Sequence, residues 1–195
     1  MVKKNIDQLI QVISSKGEIS TIEINLIQSY FKQVSVLKNT ILEEQEKIPK
    51  HLYFVASGFM RLFYFDNQGE EHTTYLATSN GFIASFSSLI NQTKATENVE
   101  CVTDCKLFKI SFSDTKKFID KSEIFKQFCL VMFEKAISSS TIRANDLAIL
   151  TAEQRYQKMM EQQPYFIQNV PLQYIASFLG IKPQSLSRIR KQGIK

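Results

Sequence analysis

The chain has 195 residues, of which 44% are hydrophobic and 22% are charged, so a packed core is expected and global disorder is excluded. No apolar run approaches the about 18 residues of a membrane span, and polar residues at 5–8 interrupt any signal-peptide core. We therefore expect a cytoplasmic protein without a membrane segment. Cys101, Cys105 and Cys129 are too few and too scattered for a disulfide framework or an iron–sulfur cluster within one subunit, which predicts buried thiols and no cofactor.

Helices are predicted across residues 5–32, where Leu9, Ile10 and Ile13 form one apolar face and a second apolar face runs over residues 22–31. From about residue 34 the pattern changes to short β-branched and aromatic runs separated by turn residues. Strands are predicted at 53–56, 59–65, 72–77, 99–102 and 107–110, with a hairpin turn at 66–69. This series predicts a double-sheet β-roll of the jelly-roll kind in an α+β chain.

A long apolar stripe predicts one helix across residues 123–150. Such a helix would be about 40 Å long, which is more than a small domain needs. Its stripe is best buried against the same helix of a second copy, so we expect a parallel homodimer. A helix folded back on the β-roll is the alternative. Serines at 138–140 weaken a strict heptad and predict the point where the two helices diverge.

A new helix is predicted to start at Thr151, because Thr151 and Gln154 form a capping-box pattern, and to stop at Pro164. The boundary near residue 150 divides the chain into three expected parts. Residues 1–120 form the β-roll domain, residues 121–150 the dimerisation helix, and residues 151–195 a C-terminal domain.

All of the excess positive charge lies at the C-terminal end. Residues 171–195 contain five Lys and Arg and no Asp or Glu, whereas residues 1–170 hold 19 residues of each sign. Concentrated positive charge is typical of a surface that binds a polyanion, because neutralised phosphates release counterions. The charge by itself is equally consistent with a basic helix face that is exposed to water and binds nothing.

The apolar spacing of this segment predicts a helix-turn-helix. Ile175, Ala176 and Leu179 share a face of a first helix, Gly180 is suited to the turn and Ile181 fills the corner. Pro183 suits the first turn of a second helix, whose Leu186 and Ile189 point inward. A two-helix hairpin whose basic residues face water remains the alternative.

The second helix would then present a DNA-reading face. Arg188 is expected to contact guanine and Gln184 an adenine or another base edge in the major groove. Contacts with phosphates are expected from Ser185, Arg190 and Lys191. The full set of predicted DNA-binding residues is Lys182, Gln184, Ser185, Ser187, Arg188, Arg190 and Lys191.

The order of β-roll, long helix and helix-turn-helix resembles the Crp/Fnr family of bacterial transcription regulators, whose type member is the cyclic-AMP receptor protein. The resemblance covers most of the chain and is carried by residues 53–61, 151–156 and, most specifically, 186–191. It implies no enzyme activity, a cyclic-nucleotide-binding-like sensor domain and a homodimer that binds a palindromic operator in double-stranded DNA. It also implies a small-molecule effector, whose identity and presence stay open.

The chain departs from the family pattern at the nucleotide-binding cassette. Relatives that bind cyclic nucleotides carry a Gly-Glu pair and an arginine there, whereas in this chain Phe82 follows Gly81 and Ala95 stands at the arginine position, beside Lys94. We therefore expect no binding of cyclic AMP in the usual manner. The candidate residues of an effector pocket are Gly81, Phe82, Ser85 and Lys94.

Two further departures concern the DNA-binding end. Most relatives continue into a β-wing, but only residues 192–195 follow the second helix here, so the wing is expected to be short or absent. Lys182 stands at the N-cap position, where Ser or Thr is usual.

Two other classes of function are the alternatives. A metalloenzyme of the cupin type would need two or three histidines and a carboxylate, and the chain has only His51 and His72. An interaction module would use the basic segment to bind a protein partner instead of DNA.

Overall fold

A computed structural model describes residues 2–15 and 17–192 of the chain. The helices are α1 (Val2–Ser14), α2 (Thr21–Tyr30), α3 (Phe86–Asn91), α4 (Phe112–Lys121), α5 (Glu123–Ile149), α6 (Ala152–Gln162), α7 (Pro164–Asn169), α8 (Leu172–Phe178) and α9 (Pro183–Gln192). The strands are β1 (Lys32–Val36), β2 (Ile41–Glu43), β3 (His51–Ser57), β4 (Met60–Phe65), β5 (Glu71–Ala77), β6 (Phe82–Ile83), β7 (Asn98–Cys101) and β8 (Cys105–Ser111).

The strands form two antiparallel sheets of four strands each, in the orders β1-β8-β3-β6 and β2-β7-β4-β5. This confirms the predicted double-sheet roll. Strand β3 is buried on both faces because it lies between two apolar layers. Tyr53 and Val55 face the second sheet, while Leu52 and Phe54 face the helices that cover the first sheet.

The helical cover consists of α1, α2, α4 and the first half of α5. Aromatic rings join it to the roll: the centroid of Phe82 lies 5.0 Å from that of Phe54 and 5.2 Å from that of Phe128. Phe118 and Phe125 stack across the junction of α4 and α5 at 3.9 Å. Leu9 and Ile13, predicted on the inner face of the first helix, are fully buried in this core.

The predicted long helix is confirmed as α5, and the capping box of Thr151 and Gln154 starts α6 as expected. Five short elements were not predicted, and these are β1, β2, β6, α3 and α7. A separate helix, α4, precedes α5. Helix α4 ends at Lys121, and Ser122 caps the start of α5 by accepting a hydrogen bond from the backbone N–H of Phe125.

Helices α6 to α9 share one apolar core, which includes Tyr156, Phe166 and Leu186. The same core contains Leu76 and Val102 of the roll. The C-terminal helices are therefore packed directly on the roll. The expectation of a short or absent wing falls on residues 193–195, outside the part of the chain that the structure describes.

Candidate nucleic-acid interface

The turn between α8 and α9 requires glycine at position 180. Its φ is +68°, a left-handed conformation that side chains rarely adopt. A Cβ atom there would also lie 2.7 Å from Cδ2 of Leu147 on α5. The N–H of Gly180 donates to the carbonyl of Ser177 and that of Ile181 to the carbonyl of Ala176, which closes α8. The predicted helix-turn-helix geometry is present.

Helix α9 has one buried and one exposed face. Leu186 and Ile189 are buried against α8, as predicted, next to the fully buried Ala176. Gln184, Arg188 and Lys191 are exposed, and their spacing of four and three residues puts them on one helical face.

The other predicted contact residues lie beside this face. Arg190 is exposed at its flank, and Ser185 and Ser187 are half-buried. Lys182 is exposed, and its carbonyl accepts the first hydrogen bond of the helix, from the N–H of Leu186. Its ammonium lies 2.8 Å from a carboxylate oxygen of Glu70 in the hairpin between β4 and β5. That ion pair raises the pKa of Lys182, and the hydrogen bond with Glu70 is its main cause.

Helix α8 is fastened to the roll at β5, an edge strand with backbone groups left over from the ladder. The hydroxyl of Ser177 accepts a hydrogen bond from the N–H of Thr73 (2.7 Å) and donates one to the carbonyl of Glu71 (3.1 Å). Arg143 of α5 donates to the carbonyls of Thr73 and Phe178, at 3.0 and 3.1 Å. Three parts of the chain, namely the roll, α5 and the helix-turn-helix, therefore meet at Thr73.

A buried arginine adds to the same contact. Arg61 of β4 is 1% exposed, and its guanidinium binds Glu71 through two nitrogens and Glu100 through Nε. Its faces are covered by the rings of Phe63 and of Tyr174 from α8, at 4.0 and 3.5 Å. Burial by itself lowers the pKa of Arg61, but the hydrogen bonds with Glu71 and Glu100 outweigh it and the pKa is raised. No local pattern predicts this stack, because Arg61 and Tyr174 belong to distant segments.

The four residues predicted for an effector pocket do not form one pocket. Gly81 and Phe82 border a cavity of about 180 Å³ between α1, α5 and the roll. Ser85 is buried at the start of α3. Lys94 is exposed and lies 3.6 Å from Glu46, because its backbone belongs to a surface turn that pairs Ala95 with Glu46 and Lys47. The structure therefore does not bring Lys94 together with Gly81 and Phe82 at one cavity.

The remaining reactive side chains form isolated pairs, among them the neighbouring thiols of Cys101 and Cys105. His51 is hydrogen-bonded to Glu43 and His72 to Asp66. Over residues 2–15 and 17–192, no group of three or more His, Cys, Asp or Glu is placed to hold a metal ion. The three cysteines are free and buried, and burial raises the pKa of Cys129 to about 12. None of the described helices is long and apolar enough to cross a membrane.

Comparisons with known proteins agree with this architecture. Residues 33–122 match the model of the cyclic nucleotide-binding domain family. No curated protein matches the chain in sequence. Among solved structures, FixK2 from Bradyrhizobium japonicum superposes with a TM-score of 0.73 at 13% identity and 83% coverage of each chain.

Two other solved structures are similar over more of the chain. The c-di-GMP-responsive global regulator CLP of Xanthomonas campestris has a TM-score of 0.71 at 17% identity, covering 89% of this chain and 91% of its own. A Eubacterium rectale protein assigned to the Crp/Fnr family has a TM-score of 0.69 at 18% identity, covering 89% and 83%. The chain has the Crp/Fnr fold. The fold that the sequence resemblance implied is confirmed: residues 33–122 match the cyclic nucleotide-binding domain model, and the helices after them superpose on those of Crp/Fnr-type structures.

Proposed function

We propose that this Crp/Fnr-fold protein is a homodimeric, cytoplasmic transcription regulator that binds a palindromic operator. Residues 1–120 act as the sensor, residues 121–150 as the dimerisation helix and residues 151–195 as the DNA-binding domain. The observation that carries the proposal is the exposed face of α9, where Gln184, Arg188 and Lys191 project from a helix-turn-helix whose inner face is buried.

Each residue of this face has a role that its chemistry suits. The planar fork of Arg188 matches the O6 and N7 acceptors of guanine, and the amide of Gln184 matches an adenine edge. Ser185, Arg190 and Lys191 hold phosphates and fix the register of the helix on DNA. Lys182 contacts a phosphate after its ion pair with Glu70 breaks and the ammonium turns to the DNA backbone.

We also propose that the roll does not hold cyclic AMP through a carboxylate and an arginine. Phe82 stands after Gly81, and its ring is packed between Phe54 and Phe128. Ala95 is buried, and its backbone N–H and carbonyl are both hydrogen-bonded to the turn at residues 46–47. These contacts support the proposal because they leave no charged group at either cassette position.

Fluorescence anisotropy with a library of genomic fragments tests the function. We expect fragments that bind far above the nonspecific level, with affinity falling steeply as salt rises. Arg188→Ala should weaken binding to the preferred fragment by about 1–3 kcal/mol and reduce the preference for it, because a base contact is lost. Adding cyclic AMP should leave the affinity unchanged.

The matched control is Lys116→Ala, which removes an exposed cation of α4, outside the helix-turn-helix, and should behave like the wild type. Absence of binding to any fragment at low salt would refute the regulator, as would equal binding by Arg188→Ala and the wild type. Binding of a protein partner through α9 without affinity for DNA would favour the interaction module.

A further inference from the structure

A cleft of about 420 Å³ lies where the three parts of the chain meet. One wall is β5 with the turn that follows it, the second is the middle of α5, and the third is formed by α6, α7 and the end of α8. The cleft is separate from the interior of the roll, which is filled by side chains of both sheets.

Two guanidinium groups line this cleft without a carboxylate partner among the described residues. Arg143 donates only to the carbonyls of Thr73 and Phe178. Arg155 donates to the carbonyls of Leu179 and Leu150, at 2.9 and 2.5 Å. Peptide carbonyls satisfy N–H groups but do not neutralise a charge.

The other charges of the cleft do not compensate. Lys158 binds both carboxylate oxygens of Asp146, at 2.8 and 2.7 Å, so these two neutralise each other. The charge of Glu97 acts on Arg143, but Glu97 does not line the cleft. Burial raises the pKa of Glu97, and its carboxylate already accepts a hydrogen bond from the hydroxyl of Thr74. The cleft therefore carries an excess of positive charge.

Arg61 differs from the two arginines of the cleft, because carboxylates neutralise its charge. Arg61 is buried with two carboxylates, and its pKa is raised. Burial lowers the pKa of Arg143, and the nearby charge of Arg155 lowers it further, against the smaller opposing effects of Tyr64 and Glu97. An anion placed between Arg143 and Arg155 would supply the missing counter-charge, with charge-assisted hydrogen bonds in a partly dry setting.

The rest of the lining fits an apolar body attached to that anion. Phe166, Phe178 and Met159 form an apolar wall, while Ser139 and Ser140 place hydroxyls on the α5 side. A volume of about 420 Å³ is within the usual range of small-molecule sites, which combine apolar walls with a few polar groups.

We propose that the cleft binds a small organic anion, a phosphate or carboxylate on a ring-sized apolar body, with the anionic group held between Arg143 and Arg155. As an effector site this rests on the proposed function. Its walls belong to the roll, α5 and the DNA-binding helices, so a ligand that prefers one arrangement of these parts shifts the population of that arrangement.

Isothermal titration calorimetry of the full chain, without DNA, tests the site with three probes. Phenyl phosphate and benzoate carry the two anionic groups, and benzyl alcohol is the neutral analogue. We expect saturable binding of at least one anion and none of benzyl alcohol. Arg143→Gln and Arg155→Gln should each weaken binding of the anion by about tenfold or more, whereas Lys116→Gln, at an exposed lysine of α4 that does not line the cleft, should not.

Both arginines also hold carbonyls, so a third variant, Gln162→Trp, fills the mouth of the cleft and leaves both guanidiniums in place. It should abolish binding while the circular dichroism spectrum is unchanged. The site is refuted if neither anion binds the wild type, if benzyl alcohol binds equally well, or if Gln162→Trp and whichever arginine variants fold bind like the wild type. If the chain binds DNA but no anion, only the proposed anion site is refuted. If it binds the anion but no DNA, only the proposed function as a DNA-binding regulator is refuted.

Discussion

Glu23 shows how one side chain fixes the starts of two helices. Its carboxylate accepts the backbone N–H of Ser20, the N-cap of α2, and the hydroxyl of Ser122, the N-cap of α5, at 2.9 and 2.6 Å. The hydrogen bond from Ser122, followed by that from Ser20, holds the pKa of Glu23 below its usual range. The ionised carboxylate is therefore the form that the fold stabilises.

Glu23→Gln should lower the free energy of unfolding at pH 7 by about 0.5–1 kcal/mol, a small cost because the side chain is partly exposed and Gln can still cap α2. A lowered folded-state pKa gives stability that is present above the unfolded pKa of about 4.3 and lost as the pH falls through the folded pKa. Urea denaturation should accordingly show the wild-type advantage at pH 7 and not at a pH below the folded pKa. The exposed Glu18→Gln serves as control, and a difference that persists in acid would contradict this role.

At the residue scale, local signals could be predicted and distant contacts could not. Gly180, Pro183, Leu186 and Ile189 were placed correctly because turn geometry and helical spacing depend on neighbouring residues. The bond between Glu23 and Ser122 spans 99 positions, so no periodicity reveals it. The surface position of Lys94 could not be predicted for the same reason, since it depends on the pairing of Ala95 with a distant turn.

Helix α5 carries large apolar side chains that are exposed and are not covered by any other described residue of the monomer. Leu130 and Ile137 are 48% and 69% exposed and lie about two turns apart on one face. Ile142 and Ile149 are 49% and 77% exposed, on a face about a third of a turn away. The first half of α5 also packs on the roll, so α5 combines the two alternatives drawn from its sequence. The change of face falls across serines 138–140, where the partners were expected to diverge.

If the first pair forms the dimer seam, Leu130→Glu with Ile137→Glu should convert the dimer to a monomer, because four carboxylates would face each other in an apolar contact. Sedimentation velocity measures the change directly. Ile22→Glu removes an equally exposed isoleucine of α2 and should leave the dimer intact. A monomeric wild type, or a double variant that still dimerises with wild-type affinity, would exclude this seam.

At the element scale, long periodic segments were predicted well and short ones were missed. Helix α5 and strands β3, β4 and β5 carry many residues of consistent pattern. Strand β6 has two residues and β2 has three, which is too few for a periodicity. The division between α4 and α5 depends on the cap at Ser122, whose hydroxyl is aligned by Glu23 of α2.

The whole molecule is more tightly connected than its sequence indicates. Across the domain boundary predicted near residue 150, α8 is docked on β5, and Leu76 and Val102 of the roll enter the core of the C-terminal helices. Glu70, in the hairpin between β4 and β5, also forms an ion pair with Lys182, a predicted DNA contact. These contacts join segments about 100 positions apart, and only the three-dimensional arrangement reveals them. The orientation of α9 relative to the roll is thus held by the same strand that lines the cleft.

Ser177 is the most direct test of this docking, because it is the only partner that the described residues offer to the outward N–H of Thr73. Ser177→Ala removes the hydrogen bonds of the Ser177 hydroxyl with that N–H and with the carbonyl of Glu71. The loss should destabilise the docked arrangement by about 1–3 kcal/mol. The apolar contacts with Leu76 and Val102 remain, so we expect local opening and not global unfolding. Hydrogen exchange should show the Thr73 amide exchanging about tenfold faster or more in Ser177→Ala. The same substitution at the exposed Ser138 should leave it unchanged, and an unchanged rate in Ser177→Ala would mean that the apolar core alone holds the helix-turn-helix on the roll.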